Sequence, residues 1–151
     1  VRTMTGRLGA LPAEHRERLM ARAREVSFPA GVRIFEEGRR ADRFWIVRTG
    51  AVQLDIRVPG RRAAVVETLH PGDPLGWSWL FPPYSWQLGA ETLSPVRAWE
   101  FDAQDVRALC HEDPVLGHAL VLMYAEVIGD RLRCARTRLL DLYGPYGSGV
   151  R

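Results

Sequence analysis

The chain has 151 residues, enough for one domain that buries about two-thirds of its unfolded surface. Hydrophobic residues make up 46% and charged residues 26%, as in an ordinary folded protein, and no apolar run nears the ~18 residues of a membrane span. The net charge of +3 rests on arginine alone, since lysine and asparagine are both missing; a GC-rich genome explains that bias, and so small an excess argues against nucleic-acid binding.

Leu11-Pro12-Ala13-Glu14 reads as a helix start, with Leu11, His15, Leu19 and Ala23 at helical spacing and the neighbouring arginines on a solvated face. From Val26 the period changes to two. Val26–Phe28, Val32–Ile34, Phe44–Ile46, Val52–Val58, Ala63–Leu69 and Val96–Phe101 alternate like strands with one buried face, and glycine turns separate them. The fold class is therefore mainly β, with about eight short antiparallel strands in a sandwich or barrel. Asp102 caps a short helix through Leu109, and Asp113-Pro114 opens a long helix that Gly144-Pro145 ends near Leu142. The expected organisation is one domain over 1–151: N-terminal helix and β-region at about 8–101, helices at 102–142, and a tail at 143–151.

Along the long helix Val121, Ala125, Ile128, Leu132, Ala135, Leu139 and Leu142 step by four and three, a seven-residue seam over three heptads. Such a seam lies against the protein's own barrel or against a second copy. The narrow stripe of its second half, with Arg131, Arg133, Arg136 and Arg138 outside it, favours a parallel homodimer.

The stretch Gly72–Thr92 stands apart. It holds Trp77, Trp79 and Trp86 with Phe81, Tyr84 and Pro82-Pro83, and is expected to be neither plain strand nor plain helix. Gly72, Gly76 and Gly89 mark turns or close approaches to the backbone. The aromatics fill the barrel mouth as core, or they stack on a flat or cationic ligand; core filling is the expectation.

Phe28–Gly38 followed by Ala41–Leu54 resembles the opening of the cyclic-nucleotide-binding domains found in Crp–Fnr regulators, protein kinase A regulatory subunits and gated channels. The resemblance runs from about Leu8 to Leu142. It implies a double-stranded β-helix, or β-roll, between an N-terminal helix and a long dimerisation helix, a regulatory role without catalysis, and cyclic AMP as the possible ligand. It also implies a phosphate-binding cassette at Gly76, Trp77, Ser78, Tyr84, Ser85 and Trp86. In the family a glutamate there holds the ribose and an arginine the cyclic phosphate. Here Trp77 stands at the glutamate position, and neither Tyr84 nor Ser85 is cationic. An arginine–phosphate pair contributes roughly 1.5–3 kcal/mol, so losing it with the glutamate weakens binding by about two orders of magnitude or more.

Three functions follow for consideration: a sensor that shifts its long helix toward an unknown protein partner, a dimeric interaction module that kept the fold without the ligand, and a metal-dependent barrel enzyme. The third lacks its ligands, because His15, His111 and His118 fall on helices and only His70 lies in the β-region, beside a turn proline. No metal or required cofactor is expected. Only Tyr143–Arg151 follow the long helix, too few for a helix-turn-helix, so direct DNA binding is not expected either. No signal-peptide core opens the sequence and Cys110 and Cys134 have no metal spacing, which fits a cytoplasmic protein without a disulfide framework.

Overall fold

In a computed structural model of the chain, which describes residues 6–147 and side chains from 7 to 142, the alternating segments form two antiparallel sheets. One sheet has the order β1-β7-β3, from Arg24–Phe28, Val96–Asp102 and Arg43–Thr49. The other has the order β2-β6-β4-β5, from Arg33–Phe35, Gly89–Thr92, Val52–Ile56 and Ala64–Leu69. The described residues thus hold seven strands, and β6 is a strand inside the stretch expected to be irregular. It lies centrally, with Ala90 and Thr92 buried and hydrogen-bonded neighbours on both sides. The mainly β class with flanking helices stands.

Helix α1, Gly6–Gly9, escaped the sequence reading, and α2, Ala13–Met20, ends before Ala23. Leu11 and Leu19 of the anticipated stripe are buried, while Arg18 and Arg22 reach across to Asp113 and Asp105. Asp102 caps α3 as expected, accepting from the Asp105 N–H at 2.9 Å, but α3 runs from Ala103 to Glu112, beyond Leu109. Asp113 accepts from the Leu116 N–H at 3.2 Å and opens α4, Pro114–Gly147. Gly144-Pro145 does not stop α4 at Leu142. The proline forfeits one bond to the carbonyl a turn earlier, a group that solvent can satisfy at an exposed helix end. The expected tail from 148 to 151 lies outside the described residues.

The barrel, α1, α2 and one face of α4 share a single core. Its centre is an aromatic stack: Phe44 lies between Trp79 at 3.8 Å and Phe101 at 4.6 Å, and Tyr124 of α4 meets Trp79 edge-on at 5.3 Å. Leu116, Leu120, Met123, Tyr124, Val127 and Arg131 form the barrel-facing side of α4, all buried. Replacing Phe44 with alanine should lower unfolding free energy by about 3–5 kcal/mol in a urea titration; a loss below about 1 kcal/mol would contradict this packing.

Candidate functional site

Backbone bonds hold the Gly72–Thr92 stretch to β3 at its start and to the turn at residues 38–41 further on. At its start the Gly72 N–H donates to Val47 O at 2.7 Å, the Val47 N–H to Asp73 O at 3.0 Å, and the Leu75 N–H to Trp45 O at 3.0 Å. Near its end the Ala41 N–H donates to Tyr84 O at 2.7 Å, the Trp86 N–H to Arg39 O at 2.8 Å, and the Gly38 N–H to Trp86 O at 2.8 Å. Between these ladders the chain turns twice, through Leu80 N–H to Trp77 O and Tyr84 N–H to Phe81 O, and the Pro82–Pro83 peptide is cis. Tyr84 has φ of 54°, in the left-handed region that non-glycine residues occupy only at a cost.

This geometry divides the six cassette residues. Gly76, Trp77, Ser78 and Trp86 come together with Phe35, Leu75, Gln87 and Leu88 around a cavity of about 10 Å³. Trp86 is 3% exposed and stacks on Phe35 at 3.9 Å, with Trp45 beyond it at 6.2 Å. Its ring lies so close to Gly76 that a Cβ there would sit 2.5 Å from Trp86 Cζ3. Tyr84 and Ser85 belong elsewhere. Tyr84 lines the outer side of the loop beneath Arg107, whose guanidinium carbon is 4.2 Å from the ring centre. Ser85 is bridged to Arg40. The core expectation for the aromatics holds for Trp79 and Trp86 and fails for Phe81, which is 45% exposed.

The cations near the stretch come from other elements, which sequence proximity could not reveal. Arg97 is exposed and pairs with Glu25 at 2.8 Å. Arg107, from α3, donates to Trp79 O at 2.6 Å. Arg131, placed by the sequence outside the apolar seam, turns toward the barrel. It is 8% exposed, donates from Nη2 to Pro74 O, and lies 5.6 Å from the Trp77 ring centre. Its Nε is 3.5 Å from Glu67 Oε1 without hydrogen-bond alignment, and its Nη1 has no partner. Burial pushes this guanidinium below its ordinary pKa, and the Glu67 carboxylate opposes the shift. Only a helical reading that placed Arg131 in register with Tyr124 and Val127 could have signalled it.

A second polar cluster lies where β2, β4 and β6 pair. Arg33 grips buried Asp55 with two bonds of 2.5 and 3.0 Å, and Glu36 and Glu91 share the same guanidinium. The Asp55 hydrogen bonds hold Arg33 above its ordinary pKa. The group is self-paired, and Gly89 leaves it room because a Cβ there would strike the guanidinium.

The proposed seam lies opposite the barrel-facing side of α4. Val121, Ala125 and Ile128 line an apolar groove of about 430 Å³ together with Leu80, Phe81 and Cys110. Beyond the barrel Leu132, Leu139 and Leu142 are 60%, 53% and 66% exposed, and Ala135 is exposed too. Cys110 and Cys134 are both free thiols, and burial raises the pKa of Cys110. Among the described residues no three His, Cys, Asp or Glu side chains gather as metal ligands, and no helix is long and apolar enough to cross a membrane.

Residues 25–113 match the family model of the cyclic nucleotide-binding domain, and the chain belongs to that family. It is 31% identical over 117 residues to a CRP-like cAMP-activated global transcriptional regulator of Mycobacterium tuberculosis, covering 78% of this chain and 50% of that protein. A further match is the HTH-type transcriptional regulator Cmr of the same organism, 30% identical over 142 residues, covering 92% of this chain and 56% of the relative. The chain therefore spans about half the length of the curated relatives it matches. Among solved structures, the N-terminal domain of a transcriptional regulator from Streptomyces coelicolor has a TM-score of 0.69 at 25% identity, over 83% of this chain and 90% of that one. The catabolite activator protein of Thermus thermophilus shares the fold, with a TM-score of 0.72 at 24% identity over 92% and 63% of the two chains.

The Gly76–Trp86 contact predicts a specific coupling. Gly76→Ala should destabilise the domain by about 1–3 kcal/mol through overpacking. In a Trp86→Ala background the same change should cost much less, because the ring it strikes is gone. Additive effects in a double-mutant cycle of urea titrations would contradict the contact.

Proposed function

We propose that this domain is a dimeric, non-catalytic regulatory module whose β-roll is closed by its own tryptophan, and that it acts on a protein partner through α4. The observation that carries the reading is Trp86 on Gly76. It leaves about 10 Å³ beside the cassette, against the ~300 Å³ or more of a small-molecule pocket. Nor is an arginine free to meet a cyclic phosphate there. Arg97 faces outward to Glu25, Arg107 lies on the other side of the loop, and Arg131 is held by Pro74 O with only its Nη1 unpartnered. A buried phosphate without a cation does not recover its desolvation.

The seam supports the dimer. Val121, Ala125, Ile128, Leu132, Ala135, Leu139 and Leu142 turn away from the barrel, and a row of large apolar side chains in water is the usual mark of a helix awaiting a partner. Arg7, Arg18, Arg22, Arg24, Arg33, Arg48 and Arg97 are paired with carboxylates, which reduces the cation surface open to DNA. A cytoplasmic setting fits such a module. The sensor reading has one observation in its favour: Arg131 Nη1 is buried and unpartnered near Trp77. It requires Trp86 to leave its stack.

Calorimetric titration of cyclic AMP and cyclic GMP into the 151-residue chain separates the two. The closed module predicts no saturable binding tighter than about 1 mM, and micromolar binding by either nucleotide would reinstate the sensor. In sedimentation equilibrium the chain should be a dimer, and Leu132→Glu combined with Leu139→Glu should make it a monomer. A monomeric parent chain would overturn the dimer.

A further inference from the structure

On the outer side of the same loop a polar cleft of about 310 Å³ is bounded by Arg40, Arg43, Arg107 and Tyr84, with Asp42 and Asp102 at its edge. Trp86 does not line it. The backbone fixes each cation independently. Arg40 sits opposite Ser85 in the ladder that ties residues 38–41 to the cassette, Arg43 begins β3, and Arg107 projects from α3. Arg107 is aimed by two contacts, its bond to Trp79 O and the Tyr84 ring beneath it. Tyr84, with φ of 54°, presents its ring to the cleft.

The charges of this cleft are only partly paired. Among the described residues neither Arg40 nor Arg107 has a carboxylate partner. Arg43 is 3.5 Å from Glu100 Oε1, an oxygen that Arg24 also takes, while Trp45 Nε1 donates to Oε2 at 3.0 Å. Asp102 is committed to capping α3. Two carboxylates, Asp42 and Asp102, line the cleft with three guanidiniums.

We propose that this cleft binds a small phosphate-bearing anion, either free or as the phosphate end of a nucleotide. Guanidinium forks present paired N–H donors that match phosphate oxygens, and Arg40 and Arg107 have theirs unclaimed by any carboxylate. Three guanidiniums converge on one cleft that two carboxylates line, and two of the three have no ion pair among the described residues, an arrangement that leaves donors for an external anion. The cleft contains no residue of α4, although Tyr84 and Arg107 also border the groove beside the seam, and its anion site stands or falls apart from the closed β-roll. A ligand on Arg107 would also pull on Trp79, which packs against Tyr124 of α4.

The test titrates diphosphate and ADP into the full chain at constant ionic strength, with chloride as the balancing anion. Saturable binding of diphosphate is expected, weakened at least about tenfold by Arg40→Glu and by Arg107→Gln. Arg61→Glu, the same charge change on an exposed hairpin tip, should leave it within about twofold. Arg40 is exposed and carries no side-chain bond, so its variant reports on the cleft even if Arg107→Gln loosens the loop. Binding of ADP tighter than diphosphate supports the site and identifies the nucleotide form; equal binding supports it and identifies the free anion. No saturable binding of either, or equal losses in Arg40→Glu and Arg61→Glu, overturns the proposal.

Discussion

An indole ring resting on the Cα of a glycine is the contact on which this domain depends. Trp86 could not lie where it does if residue 76 carried a side chain, and Gly76 would border an open pocket if residue 86 were small. With both in place, the stack of Trp86, Phe35 and Trp45 closes the roll from within. Burying a ring of that size stabilises the fold by roughly 2–3 kcal/mol.

The same loop is fastened from the other side by residues far away in sequence. Trp79 reaches down between Phe44 and Tyr124, so the aromatic core of the barrel and the long helix meet at a cassette residue. Arg107 holds the Trp79 carbonyl from α3, and Arg131 holds the Pro74 carbonyl from α4. Arg131 is the costlier tie. Its desolvation is only partly offset by Glu67 and Pro74, which makes it better suited to fixing the helix in one position than to adding stability. The loop is thus tied to both α3 and α4.

Much of the fold was legible because local signals and tertiary packing agree. Period-two alternation located six strands, the Asp102 and Asp113-Pro114 signals located the starts of α3 and α4, and the turn glycines Gly31, Gly38, Gly50, Gly60 and Gly72 all have positive φ. Strand β6 was missed because Gly-Ala-Glu-Thr has neither alternation nor strand propensity; its pairing with β2 and β4 on both sides imposes the conformation. The helix end at Gly144-Pro145 was misread for the opposite reason, as a strong local signal that the exposed helix overrides.

The site was legible in what it lacks and illegible in what replaces it. The missing cassette arginine and glutamate could be read at Tyr84, Ser85 and Trp77. Nothing local distinguished Trp86, which turns inward, from Phe81, which stays in water, or placed Arg107 and Arg131 beside a stretch that ends 15 or more residues earlier in sequence. Side-chain direction in an irregular segment depends on the long-range ladders at its two ends. The most direct measurement of the account is the proton NMR contact between the Trp86 ring and the Gly76 Hα in the presence of excess cyclic AMP. A closed roll predicts that this cross-peak persists unchanged; its loss, with new cross-peaks from the nucleotide to Phe35 and Leu75, would contradict it.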